Sequence, residues 1–147
     1  MVIRHALCLS VIVALCLIAL SAQEAQDQAT KIKHAPAPMT SPASGQEMFT
    51  NYCAPCHGKD AKGAGPAAGA LNKAPADLTA LAKKNGGKFP AMKVTSVLRG
   101  EASVAAHGTQ EMPVWGPVFW KMSQGHAAEV HQRVANLTTY IESLQVK

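Results

Sequence analysis

Aromatic side chains are scarce in this sequence, with three Phe, two Trp and two Tyr among 147 residues. A chain of this length has room for one domain with a small core, and it holds too little apolar bulk to fill a dense one unaided. Sustained period-two alternation is lacking too, which argues against a sheet and for an all-α class. Acidic residues are the minority, 9 Asp and Glu against 14 Lys and Arg, for a formal net charge of +5. Lys59, Lys62, Lys73, Lys83, Lys84, Lys88 and Lys93 gather this excess in the middle of the chain. They lack the interleaved aromatics of a nucleic-acid surface, which leaves plain solubility or a docking face for an acidic partner.

Long hydrophobic runs are missing except at the N-terminus. There, a basic start at Arg4 leads into residues 6–20, apolar but for Ser10, and then into the small residues Ser21 and Ala22. This is the layout of a signal peptide over residues 1–22. Fifteen helical residues reach about 22 Å at about 1.5 Å each, short of the roughly 30 Å hydrocarbon core, so cleavage and export to the periplasm are expected rather than a retained anchor. Leu7 precedes Cys8 and Leu15 precedes Cys16, whereas a lipidated cysteine would follow a small residue. Cleavage near Ala22 removes both of these cysteines and Arg4, lowering the net charge from +5 to about +4.

Residues 23–43 carry three prolines and no apolar periodicity, and are expected to form a disordered or extended linker ahead of a domain at residues 44–147. Ser44 and Glu47 have capping-box spacing, so a first helix should run from residue 45 to about 53, burying Met48, Phe49 and Tyr52. The Gly- and Pro-rich residues 58–75 oppose regular structure and must wrap around something to be ordered. Asp77 is the expected cap of a short helix ending before Asn85, Gly86 and Gly87. Pro90 starts a third helix with Val94, Val97 and Leu98 on one face and Gly100 as its stop. The clearest element spans residues 127–144, where Val130, Val134, Leu137, Ile141 and Leu144 recur at helical spacing.

Cys53, Ala54, Pro55, Cys56 and His57 form a CxxCH pattern, the attachment motif for a c-type haem. Two thiols one helical turn apart can add to the two vinyl groups of one porphyrin, and the next residue then brings an imidazole to the iron. A thioredoxin-like pair would need a βαβ setting, a zinc site a second ligand pair, and a plain disulfide across two residues would leave His57 unexplained. The sixth iron position falls to Met112, 55 residues beyond His57 in a stretch, residues 111–117, that Pro113, Gly116 and Pro117 should keep out of helix. His107 is its rival. Met48, Met92 and Met122 are expected to serve packing, and His34, His126 and His131 to be exposed.

Gly45, Phe49 and the CxxCH motif, followed by Met112-Pro113, resemble a class I cytochrome c over residues 44–147. The resemblance implies three to five helices wrapped around one covalently bound haem c, with Cys53 and Cys56 as attachment points and His57 and Met112 as iron ligands. It also implies that Gly45 and Phe49 pack on Tyr140, that the Pro66 carbonyl accepts from His57 Nδ1–H, and that Trp115 packs at the haem edge or bonds a propionate. The expected activity is one-electron transport through transient docking with redox protein partners, a membrane-bound donor or acceptor complex among them, and no catalysis of its own. The alternatives are a fixed haem subunit of a larger membrane or periplasmic oxidoreductase, and a small haem peroxidase or gas sensor.

Overall fold

Ser44 opens the first helix, its hydroxyl accepting from Glu47 N–H at 3.1 Å. The capping box is not closed on Ser44, because Ser44 N–H already donates to the Ser41 carbonyl and the Glu47 carboxylate takes Ser41 N–H instead, at 3.1 Å. This helix, α1, runs as Gly45–Met48, widens into a π turn over Phe49–Cys53 and closes as Ala54–His57. It thus extends four residues beyond its expected end and carries the whole CxxCH motif. Thr50 and Asn51 send side-chain bonds back to the Gln46 and Glu47 carbonyls, the kind of competition with the backbone ladder that bends a helix.

The computed structural model describes residues 37–101 and 112–146. The expected leader, residues 23–36 of the expected linker, His34 and the rival ligand His107 lie outside the described residues. Beyond α1 come a 3₁₀ turn at Ala68–Ala70 and four helices: α2 Leu81–Lys84, α3 Ala91–Arg99, α4 Trp115–Met122 and α5 Ala127–Ser143. The described residues form five helices and no strand, the all-α class expected. None of those helices is long and apolar enough to cross a membrane.

α1 and α5 form the centre. A Cβ on Gly45 would clash with the Asn136 carbonyl and come within 2.8 Å of Tyr140 Cβ, so only glycine lets the two backbones approach this closely. One turn on, Phe49 and Tyr140 pack with ring centroids 5.4 Å apart and planes tilted by 52°. Phe49, Met48, Val134, Leu137 and Ile141 are buried around this crossing, and removing one such side chain from water stabilises by about 1.5–3 kcal/mol. α3 buries Leu98 and ends at left-handed Gly100, as expected.

Three expectations need correction. Asp77 does not cap α2: its carboxylate accepts from both the amide and the hydroxyl of Thr79, closing a local turn, while α2 starts later, at Leu81. That pair of bonds, above all the hydroxyl's, holds the Asp77 carboxyl below the usual carboxylate range. Met92 is 88% exposed rather than packed, because it lies on the opposite side of α3 from Leu98. Trp115, Gly116 and Pro117 do not stay out of helix, since α4 starts at Trp115 and places Gly116 and Pro117 in its first turn, where a missing N–H costs nothing.

Residues 37–41 carry no regular structure, Pro42 and Ala43 form a turn, and the segment is fastened to α1 and α5. Tyr52 OH donates to the Pro38 carbonyl at 2.6 Å and therefore accepts from the Thr40 hydroxyl at 2.7 Å. Arg133, only 1% exposed, donates to the Thr40 carbonyl and hydroxyl and pairs with Glu129 at 2.8 Å. Asn136 holds the Pro42 carbonyl. The buried guanidinium is tolerated because Thr40, Ser123 and Glu129 all accept from it.

Candidate haem site

The last four carbonyls of a helix have no partner within it, and those of α1 belong to the CxxCH motif. The Gly-rich loop takes up all four. Gly58 N–H donates to Ala54, Ala67 to Pro55, Gly65 to Cys56 and Gly63 to His57, at 2.7–3.0 Å. This is what the turn-rich segment wraps around. Gly65 is required by proximity: a Cβ there would lie 2.6 Å from the Ala54 carbonyl oxygen and 2.7 Å from the Cys56 carbonyl carbon.

His57 is buried, and its Nδ1 lies 2.9 Å from the Ala76 carbonyl. A carbonyl can only accept, so a ring proton sits on Nδ1, and Nε2 is the nitrogen that would serve as a ligand. The resemblance gave the accepting carbonyl to Pro66. The structure gives it to Ala76, ten residues further on, and Pro66 is an exposed residue of the loop that borders neither cavity described below. The reason is steric, because the backbone at Gly65 is pressed against the end of α1 and its next residue faces outward.

Two cavities meet at this point. The larger, about 340 Å³, is walled by Leu78, Leu81, Val94, Val97, Leu98 and Ile141. The smaller, about 50 Å³, lies among Tyr52, Cys56, Leu71, Pro75 and Trp115. Cys53, His57 and Met112 border both. The larger is of the size that takes a small organic ligand, and its lining is predominantly apolar. Trp115 is buried and stacks on Tyr52 at 5.0 Å and on Phe119 at 5.7 Å. Lys73 borders the smaller cavity, Lys84 and Lys93 the larger.

Cys53 and Cys56 are both free thiols. Burial, with the neighbouring Cys56 adding to it, pushes Cys53 up to about 12, and burial raises Cys56 as well. Both are therefore protonated near neutral pH, unlike the acidic thiolate of a disulfide oxidoreductase. Among the described residues no three His, Cys, Asp or Glu side chains converge as a metal cluster would require. An apolar cavity, two thiols and an imidazole oriented by a backbone carbonyl fit a covalently attached haem.

Sequence reasoning did not find Ala76, Leu78 or Leu81. Ala76 acts through its backbone carbonyl, which leaves no residue-type signature. The two leucines lie outside any long periodic run, and only their place within a few residues of a proline-rich turn hinted at a wall. His126 and His131 are exposed, as expected, although His126 Nδ1 contacts the Ser123 carbonyl at 2.7 Å.

No curated protein and no solved structure matches the chain. A family model does match, over residues 40–130, and its description is cytochrome C oxidase, cbb3-type, subunit III. The match begins at Thr40, the residue gripped by Arg133, and takes in all of the CxxCH motif, Met112 and α4. A helical domain with this motif at the end of its first helix is a cytochrome c domain, built for electron transport through haem, and the chain belongs to the cbb3-type cytochrome c oxidase subunit III family of class I c-type cytochrome domains.

Proposed function

We propose that the protein is an exported, periplasmic one-electron carrier in which Cys53 and Cys56 hold one haem c and His57 and Met112 ligate its iron. The observation that carries this reading is that Cys53, His57 and Met112 border the same two adjoining cavities, with His57 oriented by Ala76. When bound, the haem supplies reversible Fe(III)/Fe(II) exchange. His57 Nδ1–H donates to a neutral carbonyl, which strengthens the imidazole as a donor and fixes its ring. The Met112 thioether would hold the iron as a second ligand, which would leave no site for a substrate. Leu78, Leu81, Val97, Leu98 and Ile141 would keep water from the macrocycle, favouring the less charged reduced state, and Trp115, stacked on Tyr52, would pack near it. Lys73, Lys84 and Lys93 border the cavities and steer an acidic redox partner into transient contact, raising the encounter rate more than the affinity.

The family match favours a second reading, a fixed haem subunit of an oxidase complex. Absorption spectra of the matured protein separate the claims. A weak far-red band in the oxidised form, lost in Met112→Ala while the haem stays attached, is the expected result. An unchanged spectrum in that variant would overturn the Met112 assignment. Carbon monoxide binding by the reduced wild type would mean an open site. Migration of the native protein as a free monomer supports the carrier, and co-migration with a membrane oxidase supports the subunit.

A further inference from the structure

The Ala76 carbonyl that orients His57 belongs to a short strap, residues 76–82, which also supplies Leu78 and Leu81 to the wall of the larger cavity. Few of the strap's bonds are to itself. Leu78 N–H donates to the Ala61 carbonyl at 2.8 Å, and Ala61 is a buried residue in left-handed geometry, with φ 61°. Among the described residues, the strap's further long-range bonds, besides that of Ala76 with His57, come from the chain just past α5. Gln145 Nε2 donates to the Leu78 carbonyl at 2.7 Å and to the Ile141 carbonyl at 2.9 Å, and its Oε1 accepts from Ala82 N–H at 2.8 Å. Val146 N–H adds a bond to the Thr79 carbonyl at 3.0 Å.

The amide orientation of Gln145 is dictated by these partners, because exchanging its oxygen and nitrogen would set oxygen against two carbonyls and N–H against N–H. One side chain therefore ties Leu78 and Ala82 to the end of α5, with the His57 acceptor only two residues from the nearer tie. We propose that Gln145 is a positioning residue for the haem iron: it fixes the strap so that the Ala76 carbonyl stays on His57 Nδ1–H, and so sets the donor strength of the proximal imidazole. The effect is indirect. A strap free to drift lets that bond lengthen, the imidazole becomes a weaker donor, and the oxidised iron loses more stabilisation than the reduced iron.

This inference rests on His57 ligating a haem, and the test keeps the two apart. The holoprotein is made as wild type, Gln145→Leu and Gln145→Glu. Leucine keeps the bulk and loses all three bonds; glutamate keeps an acceptor for Ala82 and loses both donated bonds, and it serves if the leucine variant fails to fold. Both are expected to speed solvent exchange of the His57 Nδ1–H proton, read by NMR, by roughly tenfold, a change of the size of one net hydrogen bond, and to shift the midpoint potential upward. Wild-type exchange and potential in a folded variant that merely melts earlier would overturn the proposal. A wild type whose spectrum shows no His-ligated haem would instead overturn the functional reading beneath it.

Discussion

The two halves of the molecule that meet at His57 are held together by different forces. On one side, α1, α4 and α5 pack large side chains, Phe49 on Tyr140 and Tyr52 on Trp115, and lock residues 37–43 through a buried arginine. On the other, residues 58–82 are mostly Gly, Ala, Pro and Lys, and stand on backbone hydrogen bonds to the end of α1 and to the tail beyond α5. The aromatic half can bury its own apolar surface. The loop half presents an apolar wall to a cavity and has little to pack against that wall except a cofactor. Assembly of the loop half and attachment of the haem are then one event, in the sense that binding free energy becomes folding free energy.

The largest effect should come from Cys56→Ala, which removes an attachment point at the end of α1 and leaves the packing of Phe49 on Tyr140 and of Tyr52 on Trp115 untouched. Covalent haem should fall to near zero on a denaturing haem-stained gel. Circular dichroism should show α1 and α5 partly retained while protease cuts within residues 58–82. Full protection of that loop in haem-free protein would break the comparison, because it would mean the loop half folds unaided.

Two glycines offer a finer cut. Gly45→Ala and Gly65→Ala each force a Cβ against backbone, and each should cost about 1–3 kcal/mol of stability by overpacking. Their further consequences should diverge. Gly45 lies at the crossing of α1 with α5, so its variant should melt earlier with an unaltered haem spectrum. Gly65 bonds Cys56 and presses on the turn that carries both thiols, so its variant should also shift the reduced absorption bands and the yield of attached haem. Equal spectral shifts in both would show that the halves are mechanically coupled.

The same division governs what the sequence could tell. α5 was legible almost to the residue, because Val134, Leu137 and Ile141 repeat with helical period and the helix is long. The CxxCH motif was legible because covalent chemistry admits few residue types at that spacing. The loop half was legible only as composition. The Pro66 assignment failed there, since a backbone carbonyl is placed by the path of the chain and not by the residue that bears it. The fastening of residues 37–43 was hidden for a related reason: it depends on Tyr52 and Arg133, which are near that segment in space and remote from it in sequence. The π turn in α1, which lengthens the helix past Cys53, has no simple sequence signature either.

The smallest predicted effect tests the aromatic half through the ion pair of Arg133 with Glu129. Hydrogen bonds from Arg133 and then Ser123 hold the Glu129 carboxyl below the usual carboxylate range. A group whose folded value is depressed adds stability that is complete above its unfolded value and is lost as pH falls through the folded one. Wild-type melting temperature should therefore decline as the solution is acidified below the ordinary carboxylate range. Glu129→Gln keeps an oxygen for Arg133 to bond but cannot titrate, so it should melt slightly earlier at pH 7 and show a shallower decline toward acid. Haem absorbance at neutral pH should be the same in both proteins, because none of Thr40, Ser123, Glu129 and Arg133 borders either cavity at His57. Identical acid slopes would mean that Arg133 is held by Thr40 and Ser123 alone, and that the carboxylate, which is only partly shielded from water, is dispensable to the fastening of the N-terminal segment.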